Sequence, residues 1–114
     1  MLTPAKAVGG SGTGSNPEQL FAAGYAACFH SAMQFVARPQ HLDTAGSSVE
    51  GHVTLGMKES GPGFDLAVRH VVTLPGLDQA AAEALVHEAH QVCPYSNATR
   101  GNIDVTFDVH GRAA

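Results

Sequence analysis

The chain has 114 residues and a formal net charge of −4, from six Lys and Arg against ten Asp and Glu. With only 14% charged residues and 44% hydrophobic ones, it has no basic stripe of the kind that meets nucleic-acid phosphates. It also has no unbroken apolar run of about 18 residues, so no membrane-spanning segment is expected. The start MLTPAKAVGG lacks an apolar signal-peptide core, which makes the cytoplasm the default location. One domain spanning residues 1–114 is the expectation. A monomer of this size buries roughly two-thirds of its unfolded surface. A chain so poor in charge therefore gains from a second subunit that covers its apolar faces.

Residues 1–15 read as an extended or irregular arm ending in GGSGTGS. That segment lacks the GK[ST] end and the preceding strand of a phosphate-binding loop. Asn16 is a good N-cap, Pro17 fits the first helical position, and Gln19 is placed to complete a capping box. A helix is predicted from there to about Val36, with Arg38-Pro39 marking its end. Its middle, LFAAGYAACFHSAMQF, is apolar on nearly every face, which predicts a buried central helix. Gly24 within it suggests a close crossing or a site that needs room.

Two strands are predicted next, Ser48 to Met57 and Phe64 to Leu74, joined by the turn KESGPG. Leu74-Pro75-Gly76 is expected to end the second strand. Asp78 then caps a helix running to about Gln91, with Ala81, Leu85, Ala89 and Val92 as its apolar stripe. A short turn or helix begins at Cys93-Pro94, and Ile103, Val105, Phe107 and Val109 alternate in a final strand. Three strands with packed helices make an α+β domain, with a central helix on an antiparallel-rich sheet.

The two cysteines carry the chemical interest. Cys28 lies inside the central helix, where a cysteine often packs as a small hydrophobe. Cys93 precedes Pro94, where the free N–H groups of a helix start favour a thiolate, although a plain turn cysteine fits as well. Together they suggest a peroxidatic and a resolving thiol, in which a sulfenic acid on one condenses with the other. Glu18, in the first turn of the central helix, either complements the helix dipole or orients a guanidinium. It stands ten residues before Cys28, about 15 Å along a helix. The two can share a site only through a long bridging side chain or a second subunit. His87, His90 and Cys93 form a weaker metal-ligand alternative. The remaining histidines read as surface residues or satisfied core residues, with His30 pointing away from Cys28. Leu20, Phe21, Tyr25 and Phe29 are candidates for an apolar pocket wall, although core packing is their default role.

NPEQLFAAGYAACF, from Asn16 to Phe29, closely resembles the central helix of the organic hydroperoxide resistance proteins, a branch of the osmotically inducible protein C superfamily. VCPYSNATRGNIDV, from Val92 to Val105, resembles their second cysteine segment. The resemblance implies a peroxidase with Cys28 as the peroxidatic cysteine, Cys93 as the resolving one, and Glu18 positioning a catalytic arginine. It also implies an intertwined homodimer, alkyl or fatty-acid hydroperoxides as substrates, no bound metal or flavin, and a dithiol reductant on a dihydrolipoyl-bearing protein. In the family that arginine lies in an N-terminal strand region before the segment matching Leu2 to Gly10. Neither Arg38, Arg69 nor Arg100 matches it by position, so slow reaction and marginal folding are expected. The alternative reading is a non-catalytic redox-sensing or apolar-ligand-binding protein that kept the fold.

Overall fold

The computed structural model describes residues 16–58 and 61–112. The predicted arm over 1–15 lies outside the described residues, as do residues 59 and 60 of the KESGPG turn. Helix α1 spans Pro17–Ala37. It starts where the sequence says it should: the Gln19 N–H donates to Asn16 Oδ1 at 2.9 Å, and the Asn16 N–H donates back to Gln19 Oε1 at 3.2 Å. This reciprocal pair satisfies two otherwise unpaired donors. At the far end α1 tightens into a 3-10 turn, Arg38–Gln40, which His41 closes in the left-handed region at φ 55°.

Only one face of α1 is buried, through Tyr25, Ala26, Phe29, Ala32, Met33 and Ala37. The opposite face, with Ala23, Ala27, Ser31, Gln34 and Phe35, is exposed. The expectation of a helix buried all round is corrected to this extent. The sequence shows the apolar character, but neighbouring elements cover a single side. The stretch Pro17–Gln40 is long and apolar enough to cross a membrane by length and composition, because mean hydropathy meets that threshold without an unbroken apolar run. In this fold its buried face packs into the hydrophobic core.

Strand β1 runs Ser48–Met57 and pairs antiparallel with β2, Phe64–Asp78, with Val53 opposite Val68. Helix α2, Gln79–Val92, starts on an Asp78 cap, and α3, Pro94–Thr99, follows it. Strand β3, Asp104–Arg112, then pairs parallel with β2, with His70 opposite Phe107. The antiparallel-rich sheet is corrected to one antiparallel and one parallel junction in the order β1-β2-β3. The reason is the crossover through α2 and α3, which returns the chain to the end of the sheet where β2 began. Strand β2 also continues past Leu74-Pro75-Gly76. Its ladder breaks after Leu74 and resumes at Asp78 opposite Arg112, so Pro75 sits in an irregularity where its missing N–H costs no ladder bond.

On β2, Val68, His70, Val72 and Leu74 face inward, while Asp65, Ala67 and Arg69 face outward. The inward side joins Tyr25, Phe29 and Met33 of α1 and Leu85, Val86 and Ala89 of α2 in one core. The close crossing expected at Gly24 occurs at Gly51 instead. A Cβ on Gly51 would stand 2.7 Å from the Ala22 carbonyl oxygen, whereas one on Gly24 would meet the Tyr95 ring at an ordinary 3.6 Å. Gly51 therefore lets α1 lie directly on β1.

Candidate active site

Cys93 occupies the break between α2 and α3. Its N–H still donates to the Ala89 carbonyl at 2.9 Å, and its own carbonyl accepts from Asn97 at 3.0 Å. Pro94 forces the break, because it has no N–H to continue α2 and pushes the residue before it into extended backbone. Cys93 accordingly has φ −65° and ψ 123°. This geometry turns the side chain toward α1, where the two free thiols meet with Sγ atoms 3.5 Å apart. Forming a bond near 2.05 Å takes about 1.5 Å of closure.

The two thiols differ in access. Cys93 is fully buried, and Cys28 is partly exposed. Cys28 lines a cavity of about 400 Å³ with Ser31, Ala32, Phe35, Val92 and Pro94. Phe35 and Val92 are 66% and 46% exposed, so the mouth of this groove is apolar. Burial pushes the Cys28 thiol pKa upward, the Tyr95 backbone N–H opposes that rise, and Cys93 adds to it. The Tyr95 amide belongs to the first turn of α3, where N–H groups have no intrahelical partner. The start of α3, expected to serve Cys93, thus directs this donor to Cys28.

No cation acts on Cys28 among the described residues. Arg69 pairs with Asp108 at 3.1 Å on the outer sheet face. Arg100 donates to Asn97 Oδ1 at 2.7 Å and to the His90 carbonyl at 2.5 Å. Arg38 lies in the exposed turn after α1. Glu18 is not brought to the cysteines. It lines a separate cavity of about 530 Å³ with Asn16, Gln19 and Ala22 of α1 and residues 51–55 of β1. Its Oε2 is buried there with no hydrogen-bond partner among the described residues.

A family model described as OsmC-like protein matches residues 10–108. The chain belongs to this family. It is 52% identical over 108 residues to the organic hydroperoxide resistance protein of Xanthomonas axonopodis pv. citri (strain 306), covering 94% of this chain and 75% of that protein. It is also similar to OhrB of Bacillus subtilis (strain 168), at 52% identity over 97 residues, with 85% and 71% of the two chains covered. The fold superposes with a TM-score of 0.88 on the crystal structure of an organic hydroperoxide resistance protein from Legionella pneumophila. That match has 48% identity and covers 96% of this chain and 79% of the other.

Within this OsmC-like fold several expectations change. Tyr25 and Phe29 are fully buried core residues rather than pocket wall, while Leu20 is 52% exposed and Phe21 is partly buried. The groove at Cys28 is built instead by Phe35, Val92 and Pro94, whose meeting depends on how α1 and α2 pack. His87, His90 and Cys93 do not converge, and no cluster of three His, Cys, Asp or Glu that could hold a metal occurs among the described residues. His87 is exposed, the His90 ring stands edge-on to Phe107 at 5.0 Å, and the Cys93 sulfur faces Cys28. His30 does point away from Cys28, bonding Ser47 Oγ at 2.9 Å.

His70 departs from the expected satisfied core histidine. It is fully buried, and neither ring nitrogen has a partner among the described residues. Tyr25 lies edge-on to it at 4.3 Å, and Phe29 and Phe107 stack on it at 5.4 and 5.5 Å. Burial, with a smaller contribution from His90, lowers its pKa to about 4. A period-two pattern places His70 inward, but it does not reveal that three aromatic rings pack against it.

Proposed function

We propose that this protein reduces organic hydroperoxides to alcohols as a cysteine-based peroxidase. The observation that carries the reading is the 3.5 Å contact between two thiols, of which Cys28 lines an apolar groove and Cys93 is buried behind it. The likeness to organic hydroperoxide resistance proteins supports it. In the proposed reaction the Cys28 thiolate attacks the distal peroxide oxygen and the O–O bond breaks. The alkoxide leaves and is protonated to the alcohol, while Cys28 becomes a sulfenic acid. The Cys93 sulfur then attacks the Cys28 sulfur, hydroxide leaves as water, and the disulfide forms. A dithiol reductant, by family resemblance a dihydrolipoyl-bearing protein, returns two electrons and two protons.

The groove wall of Phe35, Val92 and Pro94 suits an alkyl chain, which favours alkyl or fatty-acid hydroperoxides over hydrogen peroxide. Glu18 is assigned the role of orienting a guanidinium. Its support is the buried Oε2, an acceptor in want of a donor. A homodimer in the cytoplasm completes the reading. The exposed Ala23, Ala27 and Phe35 face of α1 and the edge strand β1 both offer surface for a second subunit to cover.

One observation favours a second reading, a redox-sensing or apolar-ligand-binding protein. The Cys28 thiol is pushed up rather than down among the described residues, and a weakly acidic thiol reacts slowly near neutral pH. Single-turnover reaction of the reduced chain with one equivalent of an alkyl hydroperoxide separates the two. The peroxidase reading expects one alcohol released per protein and loss of both thiols. Binding of the alkyl chain with both thiols intact would establish the second reading. Sedimentation at micromolar concentration tests the dimer, and a stable monomer would contradict it.

A further inference from the structure

Helix α1 meets Cys93 and α3 through several side chains. The Tyr95 ring packs against Phe21 and Tyr25, with ring centroids 6.3 and 5.9 Å apart. Beside it run two polar contacts: the thiol pair, Cys28 with Cys93, and the Tyr25 hydroxyl with Ser96 Oγ, 2.8 Å apart. Tyr25 and Cys28 are three residues apart on one face of α1, and Cys93 lies three residues before Ser96, at the N-cap of α3. Residue 25 meets 96 and residue 28 meets 93, so the contacts form neighbouring rungs of one antiparallel ladder. The hydroxyl rung is dry: Tyr25 and Ser96 are fully buried. Thr99 extends it, with Oγ1 3.3 Å from the Tyr25 hydroxyl while donating to the Ser96 carbonyl at 3.2 Å.

Helix α3 has only six residues, Pro94–Thr99. Its placement relative to α1 rests on the Tyr95 ring packing and on this hydroxyl cluster, which supplies the directional contacts that set its rotation. Any slip would move Cys93 at its start and the Tyr95 N–H that faces the Cys28 sulfur. We infer that Tyr25 is a positioning residue for disulfide closure, holding α3 through Ser96 so that the Cys93 sulfur stands beside Cys28. The inference rests on the peroxidase reading and adds to it a group that touches neither peroxide nor sulfur. Loosening the rung slows attack of Cys93 on the sulfenic acid and leaves Cys28 exposed to a second hydroperoxide. That hydroperoxide transfers one oxygen to give the sulfinic acid and a second alcohol.

The test compares Tyr25→Phe, Ser96→Ala and Ser96→Thr with the parent chain in rapid-quench oxidation by an alkyl hydroperoxide. Thiol loss at Cys28 and disulfide formation are followed separately. Tyr25→Phe and Ser96→Ala should slow disulfide formation about tenfold or more, since misplacement on the scale of 1 Å costs up to about a hundredfold. First oxidation should slow far less, through the shifted Tyr95 N–H alone, the sulfinic product should increase, and Ser96→Thr, which keeps the hydroxyl, should close normally. Combining Tyr25→Phe with Ser96→Ala should add little to the slower single change. Disulfide formation at the parent rate in Tyr25→Phe, or equal slowing of both steps, would overturn the inference. If Tyr25→Phe does not fold, Ser96→Ala and Ser96→Thr decide the matter alone. Should the parent chain not react with hydroperoxide, the peroxidase reading fails separately. Closure of the pair by diamide then gives the same comparison of rates.

Discussion

Cys28 rides in the middle of a 21-residue helix whose start is fixed by a capping box, whereas Cys93 stands where one helix stops and a six-residue helix begins. The first is reached through a groove and lies beside a backbone N–H donor. The second is sealed from solvent and held by proline-imposed backbone. The contrast assigns the two thiols different work. A sulfur that meets outside reactants needs access and a fixed place, while a sulfur that only meets the first needs proximity and protection from those same reactants.

The strongest way to break this comparison is to remove each sulfur in turn. Cys28→Ser should abolish hydroperoxide turnover, because the buried Cys93 has no access to substrate. Cys93→Ser should allow one oxidation at close to the parent rate and then stop, leaving a sulfenic acid that overoxidises. Residual turnover in Cys28→Ser, measured as alcohol released, would reverse the assignment.

A smaller effect sharpens the same contrast in the reductive half. Thiol–disulfide exchange depends on which sulfur the incoming thiolate can reach. A small thiol added to the oxidised protein should form its mixed disulfide on Cys28 and release Cys93, with at least about tenfold preference in acid-quenched peptide maps. Equal labelling would mean that oxidation exposes Cys93.

The smallest effect lies beneath the ladder, at His70 against Tyr25. The pKa of His70 is about 4 in the folded chain and about 6.5 when unfolded. The unfolded state therefore takes up the proton first, and stability falls as pH drops from about 6.5 toward 4. The full difference is on the order of 3 kcal/mol, and His90, which also faces this cluster, titrates low for the same reason of burial. His70→Phe should flatten denaturant-midpoint curves in that window while costing little at neutral pH, since an unpartnered polar ring is replaced by an apolar one. An unchanged acid dependence would show that carboxylates dominate it.

Local signals made much of the fold legible. Asn16, Pro17 and Gln19 gave the start of α1, and Asp78 and Pro94 gave the starts of α2 and α3. Strand β2 ran on past its expected end because a ladder can resume beyond Pro75, a fact about the partner strand rather than the residue. The parallel pairing of β3 likewise depends on where α2 and α3 return the chain. At the site, Cys28 and Cys93 stood out by motif, but their contact joins residues 65 apart in the chain. Tyr25 looked like pocket or core, and nothing local in the sequence pairs its hydroxyl with Ser96. The groove residues Phe35 and Val92 were hidden by the same limit: periodicity assigns a face, not what faces it.

The central claim is that the two sulfurs act as one redox pair within a single chain. Its most direct test is peptide mass spectrometry of reduced protein treated with one equivalent of an alkyl hydroperoxide and alkylated without reduction. The account predicts a single intramolecular Cys28–Cys93 link and no free thiol. Both cysteines alkylated after the peroxide is consumed, or links only between chains, would contradict it.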